Sequence, residues 1–119
     1  MQFYVNLKNN IEDMDQVKIS SNYSLGGMNY FTGQPTKRGY YIHFTPVKVR
    51  KTDYGQCEQT VLFHKKSYKM CVCVVDRKSK KMQEKVDNIL KANYLKMAEL
   101  YEEDDNKLYA FVQELYMDL

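Results

Sequence analysis

Tryptophan is missing from this chain of 119 residues, and proline (two), histidine (two) and cysteine (three) are scarce. Without tryptophan the core has to come from Val, Ile, Leu, Phe and Met and from the apolar bodies of eleven tyrosines. Three cysteines, Cys57, Cys71 and Cys73, are an odd number. That argues against an extracellular disulfide framework and for reduced thiols in a cytoplasmic protein. The longest uncharged apolar run falls far short of the roughly 20 residues a membrane span needs. The opening MQFYV also lacks a basic n-region and an h-region, so neither a membrane nor a secretory route is expected.

The chemistry-bearing residues are as sparse. His43 and His64 are the only histidines, and no Ser-His-Asp or Cys-His arrangement is legible from their spacing, so no catalytic residue is nominated and no enzyme is expected. Gly26 and Gly27 belong neither to a G-x-G-x-x-G loop nor to a Gly-Lys-Ser/Thr element, so no phosphate-cradling loop and no nucleotide cofactor are expected. His43, Cys57, His64 and the Cys71/Cys73 pair could converge if their strands pair. The C-x₂-C knuckles that usually announce structural zinc are lacking, however, and these residues read as ordinary sheet positions with no metal.

What is present is organised around residues 68–75, Tyr-Lys-Met-Cys-Val-Cys-Val-Val, which are apolar on both faces. Such a segment predicts a central strand covered above and below. A strand places Cys71 and Cys73 on one face, with Cα atoms about 6.6 to 6.8 Å apart, at the limit of disulfide geometry, as small core residues. Upstream, Phe3, Val5 and Leu7 alternate with Tyr4 and Asn6 and predict a strand over residues 2–7. Residues 11–15 read as a turn or a single helical turn, and Val17 and Ile19 flank Lys18 in a short extended segment. Residues 22–39, with four of the five glycines, read as a long loop or an irregular hairpin tied onto the sheet by Tyr23, Leu25, Met28, Tyr30 and Phe31. Residues 40–49 alternate as a strand in which Pro46 requires an edge or a bulge. A turn at residues 51–55 and a strand over 59–64 follow, so the three strands leading to residue 75 read as an antiparallel meander.

From Met82 the apolar residues Val86, Ile89, Leu90, Tyr94, Met97, Leu100 and Tyr101 step by three or four, one face of a helix of about five turns. Asp76 or Ser79 can cap it, although Lys78, Lys80 and Lys81 stand where a helix dipole favours acids. Residues 102–106 interrupt the stripe. Asp104 or Asp105 can cap a second helix carrying Leu108, Phe111, Val112, Leu115 and Tyr116. The prediction is one α+β domain over residues 1–119: a two-layer fold in which an antiparallel sheet of four to five strands (residues 1–76) packs against one long or two C-terminal helices (residues 78–119).

The net charge of +3 conceals a division. Residues 37–81 hold twelve Lys/Arg against three acids (+9), whereas residues 82–119 hold four Lys against nine acids (−5). The basic set is Lys37, Arg38, Lys48, Arg50, Lys51, Lys65, Lys66, Arg77, Lys78, Lys80 and Lys81, interleaved with Tyr30, Phe31, Tyr40, Tyr41 and Tyr54. Cations beside exposed rings suit single-stranded RNA or DNA, where phosphates take the charge and bases stack. The acidic set is Glu99, Glu102, Glu103, Asp104 and Asp105, which can stay solvated or can occupy a cationic groove on a protein partner in the manner of phosphates. The two signs are also self-complementary, so a homodimer is compatible with the sequence.

Residues 23–33, Tyr-Ser-Leu-Gly-Gly-Met-Asn-Tyr-Phe-Thr-Gly, and 37–47, Lys-Arg-Gly-Tyr-Tyr-Ile-His-Phe-Thr-Pro-Val, followed by Arg77-Lys-Ser-Lys80 at the helix entry, carry a resemblance. Together they resemble small accessory proteins of conjugative and integrative elements of Gram-positive bacteria, over about the middle two-thirds of the chain. What the resemblance implies is a non-enzymatic binding protein or inhibitor of a mobile element, such as an anti-CRISPR that binds Cas9 or its guide RNA. The alternative is a nucleic-acid-binding accessory protein acting in conjugation or regulation.

Overall fold

The structure is a computed structural model that describes residues 1–9, 14–28, 33, 35–52, 54–60 and 66–119, with the backbone alone described at 50–52 and 56–60. The chain runs β1 (Gln2–Asn6), β2 (Gln16–Ser24), β3 (Gly27–Met28), β4 (Pro35–Thr36), β5 (Gly39–Thr52), β6 (Gly55–Thr60), β7 (Tyr68–Val74), α1 (Lys80–Glu103) and α2 (Asp105–Leu115). The predicted α+β class is the observed one: an antiparallel sheet with two helices, plus a small ladder of β3 with β4 in the predicted irregular hairpin.

The centre of the sheet is β5, fourteen residues long, and not residues 68–75 as the apolar run predicts. β5 pairs β2 along its first nine residues, β7 from Gly39 to Phe44, and β6 from Val47 to Thr52. Among the described residues β7 has no second neighbour and stands at the edge. Its burial is correspondingly one-sided: Met70 and Cys73 are buried, Lys69 is exposed and Val74 is 60% exposed. The apolar run misleads because a bulge interrupts it. Cys73 faces Tyr40 and Cys71 faces Tyr41, with Val72 inserted between them. A strand that gains one residue changes the face its next side chain points to. Cys73 therefore joins the core while Cys71 does not, which overturns the expectation of both thiols on one face.

The meander is also corrected, since β7 returns to pair β5 and not β6. Of the predicted strand over 59–64 only Gln59 and Thr60 fall in an observed strand, β6, which begins at Gly55 inside the predicted turn; the remainder, with Val61, Phe63 and His64, lies outside the described residues. Pro46 needs neither an edge strand nor a bulge. Ser21 N–H donates to Met1 O and Leu7 N–H to Asp15 O, which makes Val5 and Val17 a hydrogen-bonded pair and turns the ladder groups of Val17 away from β5. Its β5 neighbour Pro46 accordingly points its nitrogen to the other side, into the gap between the end of the β7 ladder at Phe44 and the start of the β6 ladder at Val47. Among the described residues the donor that proline lacks has no acceptor there to miss.

The short extended segment around Val17 is a nine-residue strand, β2, whose Val17, Ile19 and Ser21 are buried under the helices. Met14, 1% exposed, is a core residue in what read as a turn; residues 11–13 of that turn lie outside the described residues. Against this sheet face α1 presents Val86, Leu90, Met97 and Tyr101, and α2 presents Leu108 and Val112. Among the described residues no helix is long and apolar enough to cross a membrane.

Candidate functional site

α1 has 24 residues, so about 36 Å separate its ends. Its start is riveted to the sheet by Tyr40. The wholly buried ring sends its hydroxyl to donate to Ser79 O (3.1 Å) and to accept from Ser79 N–H (3.2 Å). Ser79 caps the helix by accepting from Met82 N–H through its own hydroxyl. The strand entering the same place is held as firmly. Val75 N–H donates to Arg38 O (3.2 Å), Tyr23 Oη donates to Val75 O (3.3 Å), and the Arg38 guanidinium donates to Leu25 O (3.0 Å) and Asp76 O (3.5 Å).

These contacts draw the segment before β5, the segment after β7 and the first turn of α1 to one end of the sheet. Lys37, Arg38, Arg77, Lys78, Lys80 and Lys81 are all exposed there, and Asp76 is the acid that the same segments carry. Among the described residues Lys37, Arg77, Lys78, Lys80 and Lys81 enter no ion pair. The first turn of α1 has no acidic residue, so the positive end of the helix dipole adds to the cationic field and does not offset it.

The other end of α1 has the opposite sign. Glu99, Glu102 and Glu103 stand in its last two turns, the final one without a basic residue, and Asp104 and Asp105 begin α2. Each has a local partner. Glu102 Oε1 accepts from Lys8 N–H (2.6 Å), and Glu103 pairs Lys107 (2.7 Å). Asp104 caps α2 by accepting from Asn106 N–H and Lys107 N–H, Asp105 faces Lys66 at 3.8 Å, and Glu99 faces Lys96 at 3.7 Å. At a helix start, Asp104 and Asp105 also stand where the dipole favours acids.

The eleven basic residues expected to act together are divided by the fold. Lys37, Arg38, Arg77 and Lys78 meet at the α1 start. Lys48, Arg50 and Lys51 lie on the second half of β5, which leads to the β5–β6 turn. Lys66 is at the far end, donating to Tyr101 O (3.2 Å) and lying 5.6 Å over the Tyr101 ring, beside Asp105. Burial, helped by the nearby Asp105, pushes the hydroxyls of Tyr101 and Tyr68 well above the usual tyrosine range. Lys66 is thus part of a structural cluster. Lys65 lies outside the described residues. Lys80 and Lys81, members of the same expected set, also stand at the α1 start.

The aromatic half of the expectation is corrected as well. Tyr40 (0% exposed) and Tyr41 (6%) are buried and cannot stack on bases, because the alternating pattern that made both strand residues did not reveal that both faces are covered here. Tyr54 is fully exposed in the β5–β6 turn, and Tyr30 and Phe31 lie outside the described residues. On the sheet face away from the helices, Lys69 Nζ lies 4.8 Å over the Tyr41 ring, and the Tyr41 hydroxyl donates to Lys37 O. His43, opposite Lys69, is held below its ordinary pKa by burial and then by that ammonium. Burial likewise pushes the Cys73 thiol up. Among the described residues no three His, Cys, Asp or Glu side chains group as metal ligands do. No family model, curated protein or solved structure matches this chain.

Proposed function

We infer that the protein is a non-enzymatic binding protein, and that its working surface is the basic end at the start of α1, which takes the phosphate backbone of a nucleic acid. The observation that carries this reading is the placement of Lys78, Lys80 and Lys81 on a positive helix end with no acid in the first turn. Cations there lower helix stability by tenths of a kcal/mol each, roughly, so their gathering beside Lys37, Arg38 and Arg77 is better suited to an external anion than to the fold. The acids at the opposite end are all used inside the molecule, which makes them the weaker candidate for contacting a protein partner. RNA is the nucleic acid to try first. On the resemblance to accessory proteins of mobile elements, the guide RNA of Cas9 is the specific one, with inhibition of Cas9 as the outcome.

With the rings of Tyr40 and Tyr41 inside the fold, the attraction is expected to be mainly electrostatic. Six cations engaging a single strand give a slope of log K against log salt of roughly −4. Fluorescence anisotropy of labelled RNA across a salt series measures this. Neutralising Lys37, Arg77, Lys78 and Lys81 to Gln should abolish most of the binding, while replacing Glu99 and Glu103 by Gln should leave it intact. Binding that ignores salt, or that survives loss of the four cations, sinks the reading. A Cas9 cleavage assay with the same two variants tells whether the basic or the acidic end carries any inhibition.

A further inference from the structure

Apolar side chains scattered over a surface call for no explanation, but two of them border the basic end. Leu25, 69% exposed, follows the last residue of β2, and Val74, 60% exposed, is the last residue of β7. Arg38 ties both places together. Its guanidinium donates to Leu25 O (3.0 Å) and Asp76 O (3.5 Å), and its carbonyl accepts from Val75 N–H. In the ladder Gly39 pairs Ser24 on one side and Val74 on the other, so the two strand ends lie roughly 10 Å apart with β5 between them. A β-carbon on Gly26 would stand 2.9 Å from Thr36 O, which sets the turn after Leu25 against the chain that carries Lys37. Leu25 and Val74 thus stand at the same end of the sheet as Lys37, Arg77 and Lys78.

Neither side chain belongs to the hydrophobic core, and neither carries a group that a phosphate could use. The cations are satisfied by the phosphates of any nucleic acid. The apolar pair is satisfied only by an apolar surface brought close beside those phosphates. In a duplex the base faces are stacked on one another, and sugar and phosphate form the outside. An unpaired strand leaves its base faces free to lie on side chains. Aliphatic side chains can take such faces, as apolar pockets for flipped bases do.

We propose that Leu25 and Val74 take the unpaired bases of the strand whose phosphates the basic end holds, so that the protein selects single-stranded over double-stranded RNA. This selectivity rests on the basic end being the phosphate site, and it adds the part of the ligand that lies beyond the phosphates. Contact with base faces and not with base edges reads little sequence. An anionic bilayer also joins charge to apolar matter. Binding one takes an extended apolar face, however, and two separate aliphatic side chains are nearer to the size of two bases.

Fluorescence anisotropy with three labelled probes separates the contributions: a single-stranded RNA, the same RNA annealed to its complement, and an abasic strand of equal length. The wild type should prefer the single strand to the duplex by about threefold or more, although the duplex has the denser charge. L25Q/V74T should bind the single strand about tenfold more weakly with the salt slope unchanged, and should bind the abasic strand as the wild type does. Both positions are exposed, so the fold should be kept, to be checked by circular dichroism. Leu95→Gln removes an equally exposed leucine far from the α1 start and should change nothing. A wild type that does not prefer the single strand, or a double variant that binds it undiminished, overturns the proposal and leaves the basic end as the phosphate site. Loss of abasic-strand affinity in the double variant overturns it too, by assigning the pair to the shape of the basic end. So does a double variant that keeps its RNA affinity but no longer sediments with phosphatidylserine vesicles, which gives the pair to a lipid surface. A wild type that binds none of the three probes overturns the reading of the basic end itself.

Discussion

A β-carbon on Gly39 would stand 2.0 Å from the carbonyl oxygen of Cys73 and 3.0 Å from the Val74 Cα. The first residue of the central strand must therefore be glycine for β7 to end close beside it, and that closeness brings Arg77 and Lys78 alongside Lys37 and Arg38. Gly39→Ala should push the β7 end away from β5 and cost about 2–4 kcal/mol of stability in urea unfolding. Gly33→Ala, where a β-carbon would meet nothing within 4 Å, provides a comparison for the backbone cost alone, as its φ is also positive. Equal effects at the two positions would mean that the close approach to Cys73 contributes nothing.

The sheet and α1 are also joined by a part-buried polar contact. Ser21, 4% exposed, donates from its hydroxyl to Asp87 Oδ1 at 2.6 Å, and Gln83 Nε2 donates to the same oxygen at 3.0 Å. Removing the serine hydroxyl leaves a part-buried carboxylate with one donor fewer. Ser21→Ala should thus destabilise the fold by about 1–3 kcal/mol, and Gln83→Ala by less than about 1 kcal/mol because water can replace the more accessible donor. Chemical denaturation of the two variants decides it. A serine variant within experimental error of the wild type would show that Asp87 is adequately satisfied without it.

The helices were legible in the sequence because a 3.6-residue stripe survives any change of neighbour. Val86, Leu90, Met97, Tyr101, Leu108 and Val112 are buried as their spacing predicts, and Ser79 and Asp104, each one of two candidates, are the caps. The sheet was less legible because strand order depends on pairing at long range. Residues 40–49 read as an alternating strand and 68–75 as an apolar one, and only the register reveals that β5 has partners on both sides while β7, among the described residues, has one. The bulge at Val72 was invisible for the same reason, and with it the separation of Cys71 from Cys73. For the candidate site, composition correctly signalled a cationic half, but proximity had to come from the fold: Lys37 and Lys78 are far apart in sequence and share an end, while Lys66 and Lys78 are closer in sequence and do not.

His43 makes stability depend on pH. Its imidazole is half-buried and faces Lys69, and both burial and the ammonium favour the neutral ring. The folded pKa is therefore below the unfolded value of about 6.5. The unfolded chain binds the proton more readily, so this contribution is fully present above about pH 6.5 and is lost as pH falls from there through the folded pKa. His43→Gln should flatten that part of the profile, seen as melting temperature against pH between about 5 and 7. Lys69→Gln should raise the His43 pKa without bringing it to the ordinary value, because burial is the larger cause and remains. A proton NMR titration of the imidazole that puts the wild-type ring at or above its ordinary pKa would refute this.

If Lys80 and Lys81 are kept for a ligand and not for the helix, stability and binding should move in opposite directions when they are changed. Both occupy the first turn of α1, where the backbone N–H groups point outward and the dipole is positive. Lys80→Glu with Lys81→Glu replaces two unfavourable charges by two favourable ones and is worth about 1 kcal/mol to the fold, or a rise of roughly 3–5 °C in melting temperature. The same change takes two cations from the basic end and adds two anions, so RNA affinity should fall by at least about a hundredfold at low salt. Differential scanning calorimetry and anisotropy on one preparation test both halves. A variant that melts lower and still binds RNA would assign these lysines to the fold, and one that melts higher with affinity unchanged would remove them from the interface.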